Sequence, residues 1–373
     1  MSSKYSFCLL RLLLLYERGC RWAAQIYDPL WTETAIIRGL TRLPQLQDLQ
    51  LIINRDALSE ISVGHIHLDR LSELKKISLS GNHVDRPCDI TSGLAGLIAK
   101  SPQLVHLEVH LGYHGISPET PPTLHDVLSK VPEDHPLRLT HLALNRTSIC
   151  VDSFTLPHLR SLISLDLRNL PAPPNFIDDA DPTSERLGRA CSTSDICAVL
   201  KQEGIYLKHL FVSDVGVFDY LCSYSGLETL DLCSMSFNTV EESNASARTF
   251  YRSVLPQLVH SLQVLKIQPK QEGQWCFNPE DGFQSVVFSQ CNKLRSLCVA
   301  LNSISSNPST TISISTKTIL MLRYVLVISL FSRPCHKYFC RSHHSSAYRS
   351  AYPPLVKFVL LYQNWDSRVM SLS

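Results

Sequence analysis

Three places in this chain bring together side chains whose types and spacing could do chemistry. The densest is His106-x-Glu108-x-His110. On an extended strand residues two apart share a face and stand about 6.6 Å apart, so these three set metal-ligating groups side by side, with His141 expected on the adjacent strand. The geometry admits a metal, but a solvated strand whose imidazoles align explains it more simply, and no metal or other cofactor is expected. Clustered imidazoles would also make binding at that surface sensitive to pH near 6–7. The second place, Cys335-His336 with Cys340, His343 and His344, has zinc-binding residue types but lacks the tight paired spacing of a compact tetrahedral site. The third, Asp178, Asp179, Asp181 and Glu185, falls in the Pro-rich insertion Pro171–Arg189 and reads as a solvated loop, not an acid/base pair. The chain has no Gly-rich phosphate loop, nucleophile elbow, His-Glu-x-x-His or kinase set, so no catalysis is expected.

The strand that carries the first cluster is one copy of a repeated phrase. Leu46-Gln-Asp-Leu49-Gln-Leu51-Ile-Ile-Asn54 and Leu74-Lys-Lys-Ile77-Ser-Leu79-Ser-Gly-Asn82 fill every position of Leu-x-x-Leu-x-Leu-x-x-Asn. Weaker copies begin at Leu104, Leu139, Leu162, Leu207, Leu227, Leu262 and Leu294, giving nine repeats. Start-to-start spacings of 28, 30, 35, 23, 45, 20, 35 and 32 residues leave room for a strand plus a helix in most units. A unit that small cannot bury its own apolar face and must stack on its neighbours.

Positions four and six of each phrase point into the core, so positions three, five and seven point away from it. The third-position column reads Asp48, Lys76, His106, His141, Ser164, His209, Thr229, Val264 and Ser296; the fifth includes Gln50, Ser78, Glu108, Asp166, Phe211 and Asp231. Together with the seventh these gather a candidate binding patch: His106, Glu108, His110, His141, Asn145, Asp166, Arg168, His209, Phe211 and Asp231. It is polar with one aromatic anchor, a mixture that suits a protein or peptide partner, with Arg168 and Phe211 the residues expected to contribute most.

Helices are predicted between the phrases. Thr91–Lys100 and Thr123–Lys130 show apolar residues at helical spacing, Ser194–Glu203 has an N-cap at Ser194 and a stop at Gly204, and Thr239-Val-Glu-Glu242 reads as a capping box opening a helix that runs to about Leu255. The strand–helix alternation, with passages such as Gly96-Leu-Ile-Ala-Lys-Ser-Pro-Gln-Leu104 and Cys291-Asn-Lys-Leu294-Arg-Ser-Leu297, resembles the leucine-rich repeat superfamily, in its ribonuclease-inhibitor-like and F-box/leucine-rich-repeat branch. The resemblance covers roughly residues 40 to 302. It implies an α/β leucine-rich repeat solenoid, a horseshoe with parallel strands on the concave face and helices outside.

The expected organisation is a helical capping segment over 1–40, the repeat array over 41–302, a Ser/Thr-rich linker over 303–318, and a basic tail over 319–373 that is either poorly ordered or a set of degenerate repeats. Strand-like phrases at Leu322–Leu330 and Leu355–Leu360 support the latter. A net charge of +2 conceals an asymmetry: residues 1–281 hold 25 Lys plus Arg against 32 Asp plus Glu, while Gly282–Trp365 holds nine basic residues and no acid. The mildly acidic body gives no support to nucleic-acid binding. Thirteen cysteines in 373 residues, several at core positions of the phrase, read as small apolar fillers. Phe7–Leu15 is interrupted by Arg11 and too short to span a bilayer, so no membrane role is expected.

These readings imply a non-catalytic interaction module in the cytoplasm or nucleus, with a protein partner on the concave face. The F-box resemblance further implies substrate recognition for a cullin-RING ubiquitin ligase, with a cullin-ligase adaptor subunit as a second partner, although residues 1–40 show no Leu-Pro opening of an F-box. The alternatives are an inhibitor or scaffold unrelated to ubiquitination, and a metal-dependent enzyme on the histidine cluster.

Overall fold

The computed structural model describes residues 20–26, 40–41, 43, 46–53, 67–81, 87–111, 122–145, 147–149, 151–168, 170, 191–270, 273–277, 282–300 and 357–361. Two compact units divide the chain, Met1–Val212 and Ser213–Ser373. In the first, β1 (Cys20–Ile26), β2 (Leu46–Ile53), β3 (Lys76–Gly81), β4 (His106–Leu111), β5 (His141–Asn145), β6 (Ser164–Leu167) and β7 (His209–Val212) each pair in parallel with the next. In the second, β8 (Thr229–Met235), β9 (Val264–Pro269), β10 (Ser296–Ala300) and β11 (Lys357–Leu361) do the same. The fold is α/β with parallel strands.

The pairing register reproduces the repeat alignment residue for residue. Asp48, Lys76, His106, His141, Ser164 and His209 lie in one row, and Gln50, Ser78, Glu108, Ala143, Asp166 and Phe211 in another. One backbone device recurs at each step: the carbonyl at position two accepts amides from positions two and three of the following strand. Lys75 thus receives Val105 and His106, Val105 receives Thr140 and His141, Thr140 receives Ile163 and Ser164, and Ile163 receives Lys208 and His209. In four phrases the first Leu also closes a tight turn onto the carbonyl three residues earlier. Leu46, Leu104, Leu162 and Leu294 do this onto Leu43, Ser101, Leu159 and Cys291.

Alternation then decides the core. Leu104, Leu107, Val109, Leu207, Leu210 and Val212 are fully buried, as are Leu227, Leu230 and Leu232 in the second unit. Positions three and five between them are half-exposed on β4, β5 and β7. Each buried Leu contributes about 1.5–3 kcal/mol relative to exposure. Leu294 departs from the pattern and is only half-buried.

Helices follow the strands: α1 (Pro87–Ala99), α2 (Leu124–Leu128), α3 (Leu156–Leu159) and α4 (Thr193–Gln202) in the first unit, and α5 (Phe218–Leu221), α6 (Val240–Thr249), α7 (Leu255–Leu258) and α8 (Gly282–Gln290) in the second. The predicted α4 start is two residues late. Its cap is Ser192, whose hydroxyl accepts from the Asp195 amide at 3.1 Å while the Asp195 carboxylate takes the Ser192 amide at 3.0 Å. Ser192-x-x-Asp195 satisfies two end amides at once, which Ser194 cannot. The stop at Gly204 is as expected: φ is +66°, and the Ile205 and Gly204 amides bond the Leu200 and Lys201 carbonyls in the pattern of a Schellman end.

The helix from Thr239 differs more. Thr239 caps it, accepting from the Glu242 amide, but Glu242 reaches back to the Asn238 amide, one residue outside the expected box. The predicted continuous helix to Leu255 is broken by a π-type turn at Phe250–Val254 before α7 begins. Pro256, near the start of α7, has no N–H to return to the Arg252 carbonyl, so the preceding turn widens instead of continuing as α-helix.

Within 1–40, expected to be a helical cap, Cys20–Ile26 is instead a strand pairing with β2. The β2 edge already offers a parallel template, and an extended segment that joins it satisfies backbone groups that a helix lying elsewhere would leave open. In the tail, Phe358 and Leu360 of β11 stand opposite Leu297 and Val299 of β10. The expectations for Phe7–Leu15, the insertion Pro171–Arg189, the linker 303–318, the Leu322–Leu330 phrase and the Cys335–His344 cluster lie outside the described residues. No helix among the described residues is long and apolar enough to cross a membrane.

Candidate functional site

In the first unit, β4 to β7 bring eight of the ten patch residues onto adjacent strands. His106, His141 and His209 occupy one row with Ser164 between the last two; Glu108, Asp166 and Phe211 occupy the row two residues on; His110 faces Asn145. Arg168 immediately follows the end of β6. The tenth residue, Asp231, belongs to the second unit.

Glu108 organises one half of the patch. Its Oε1 stands 2.8 Å from His106 Nε2, and its Oε2 accepts a hydrogen bond from the Ser78 hydroxyl at 2.8 Å. Burial raises the carboxyl pKa, but the bonds from His106 and Ser78, with the nearby imidazole charge, outweigh it and bring the value to about 2. The carboxylate is therefore held ionised. The other face of His106 stacks on His141 with ring centres 5.2 Å apart.

His141 and His110 respond differently. The His141 Nδ1 is 2.8 Å from the Thr140 hydroxyl, which itself donates to the Val105 carbonyl. That hydroxyl has a single proton, so the imidazole is the donor and its Nε2 is left as the acceptor end of the neutral ring. Burial, then repulsion from His106, His209 and Lys76, lowers the His141 pKa below the ordinary histidine value. His110 is also lowered, by burial first, although Glu108 and Asp166 pull it back.

Asp166 and Arg168 organise the other half. The Arg168 Nε lies 2.9 and 3.0 Å from the two Asp166 oxygens, and Nη2 bonds Oδ2 as well, so the guanidinium is clamped side-on. The backbone amide of Arg168 adds a further bond to Asp166. The Arg168 Cζ lies over the Phe211 ring, 5.3 Å from the ring centre, within cation–π range. Arg168 and Phe211, the two residues expected to contribute most, are thus held together, with the Arg168 charge matched within the protein by Asp166.

In the second unit Asp231 is almost fully buried and paired with Lys266 at 3.2 Å. Its Oδ1 has no hydrogen-bond partner among the described residues. It is therefore less exposed than a position-five residue on a binding face was expected to be.

Three contributors escaped selection from sequence. Ser78 and Lys76 occupy the same columns as the chosen residues but lie on an earlier strand, and Thr140 sits at position two, whose side chain the alternation does not assign to this face. A further histidine, His158, was invisible: buried on α3, its Nδ1 accepts from the Leu137 amide at 2.9 Å. His158 is structural. Among the described residues no group of three or more His, Cys, Asp or Glu is arranged to hold a metal ion; Glu108 already serves His106 and Ser78. The chain matches no family model and no curated protein.

Proposed function

We propose that this chain is a leucine-rich repeat solenoid whose strands line the concave side of a horseshoe, and that it works as a non-catalytic protein-binding module. The observation that carries this reading is the registered grid on β4 to β7, where half-exposed polar side chains and one aromatic ring form a pre-organised surface without a catalytic constellation among the described residues. Carboxylates are matched in place, by Ser78 and His106 or by Arg168, so little ordering is needed on binding. A clamped guanidinium over Phe211 provides flat apolar and polar area of the kind that anchors protein interfaces.

The resemblance to F-box/leucine-rich-repeat proteins supports a role in presenting substrates to a cullin-RING ligase in the cytoplasm or nucleus; an inhibitor or scaffold has the same surface without the adaptor contact. Affinity purification of the full chain with mass spectrometry, alongside Phe211→Ala, tests the binding role. Proteins captured by the wild type and lost in the variant are the expected result, and none sensitive to the variant would end this reading. Association with the cullin-adaptor subunit in the same experiment separates ligase adaptor from scaffold.

A further inference from the structure

We propose that β11, Lys357–Leu361, pairs with its counterpart in a second copy of this chain, so that two copies join edge to edge about a two-fold axis. The proposal concerns the second unit alone and goes beyond the binding surface on β4 to β7.

β11 pairs with β10 on one side and with no other described strand. Its register continues the rows of the unit. Phe358 and Leu360 stand opposite Leu297 and Val299, both buried core positions, while the row of Lys266 runs on through Cys298 to Val359, and Ala300 stands opposite Leu361. Along these outer rows the sheet changes character between β9 and β10. Lys266 and Gln268 are half-exposed, whereas Cys298 and Ala300, at the same positions five and seven, are buried. Alternation on β11 then assigns Phe358 and Leu360 to one set of rows and Val359 and Leu361 to the other. Both sets are apolar. A run of that kind is the sequence of a strand covered on both faces inside a parallel sheet. At the end of a sheet, with backbone N–H and C=O groups on one side that no described strand meets, it is a template for another chain.

The sequence of the strand selects a second copy as that chain. Laid antiparallel and centred on Val359, two copies of Lys357-Phe-Val-Leu-Leu361 oppose Lys357 to Leu361, Phe358 to Leu360 and Val359 to itself. The single charge of the strand is then placed at opposite ends, about 13 Å apart along the strand, and the pairs between are apolar. Parallel pairing of two copies would instead set the two lysines side by side, which is destabilising. A two-fold pairing also uses each edge once and closes. Its strength is modest: five residues a side supply a small part of the about 1,200–2,000 Å² buried in a stable interface, so the dimer forms in a concentration-dependent equilibrium.

Sedimentation velocity of the full chain over roughly 1 to 200 μM reads that equilibrium, and a shift from monomer to dimer across the range is the expected result. Val359→Lys sets two lysines against each other at the centre of the pairing, and Val359→Glu two glutamates; each should weaken the dimer about fivefold or more. Mixed in equal amounts, the two variants should dimerise with each other more tightly than either does alone, because lysine then faces glutamate. Unchanged melting shows that each variant is folded. A chain that stays monomeric throughout, a dimer indifferent to both charge variants, or variants that do not recover on mixing overturns the inference. Each of these results leaves the binding role standing, since no residue of β4 to β7 takes part.

Discussion

Glu108 and His158 show how two titratable groups that sit close in sequence to ordinary core residues come to govern acid stability in opposite senses of charge. Glu108 has its folded-state pKa lowered from 4.5 to about 2. The unfolded chain therefore binds more protons between those values, and the stability contributed by the carboxylate is full above pH 4.5 and lost as pH falls toward 2. Allowing for its partial exposure, this amounts to roughly 2 kcal/mol. Glu108→Gln should cost about that much at pH 7 in urea titrations, and the gap to wild type should narrow steadily below pH 4.5. His158 must stay neutral to accept the Leu137 amide, and burial lowers its pKa from 6.5. Its contribution is complete above 6.5 and falls as pH drops below that value. His158→Leu removes the acceptor, leaves the Leu137 N–H unpaired, and is expected to cost about 1–3 kcal/mol at pH 7. Both effects can be read from melting temperatures across pH 2–8.

At the scale of elements, the ends of α4 are the most sharply specified points in the chain. Ser192→Ala removes the cap acceptor and should cost about 1 kcal/mol. Gly204→Ala forces a side chain into a left-handed residue at φ +66° and should cost about 1 kcal/mol; because nothing lies within 4 Å of the added Cβ, the loss is conformational and Gly204→Asn should recover part of it. Chemical denaturation of the three variants checks both. For β2 to β10 the pairing register within each unit was legible in the sequence, because a two-residue alternation anchored by Leu at positions one, four and six admits a single register, although it did not show that Asp231 at position five is buried. Helix starts were less legible: Ser194 was read as the cap of α4, whereas Ser192, three residues before Asp195, is the one that caps it. The π-type turn before Pro256 was not legible, since its apolar spacing suits an α-helix equally well. Nor was the strand Cys20–Ile26, whose apolar residues lack the Leu phrase and whose placement depends on the β2 edge.

Across the whole molecule, the rows of the sheet carry the candidate site while the individual residues do not. His106, His141 and His209 are far apart in sequence and share a row only because four successive phrases keep register. That much could be read from the repeat. The pairing within the surface could not: position two of a phrase gives no hint that Thr140 orients His141, and Asp166-x-Arg168 reads as two exposed charges until the clamp and the Phe211 ring are seen together. In the first unit β4 and β5 have a strand on either side, whereas β1 has one paired neighbour. Amide hydrogen exchange should therefore be slowest for Leu107, Val109, Leu142 and Leu144 and faster by orders of magnitude in Cys20–Ile26. Equal protection across the strands would contradict this order.

The shared carbonyl at position two has a consequence for how this chain tolerates changes of length. Strands are keyed to one another at that single residue, and the start-to-start distances already range from 20 to 45 residues. Lengthening a connection between strands leaves every rung intact and adds only a slowly growing closure entropy, about 0.6 kcal/mol per doubling. One residue inserted between His106 and Leu107 would do the reverse, turning Leu107 and Val109 outward and Glu108 and His110 inward along the rest of β4. Insertions and deletions in natural variants should accordingly fall between phrases and spare the six residues within them.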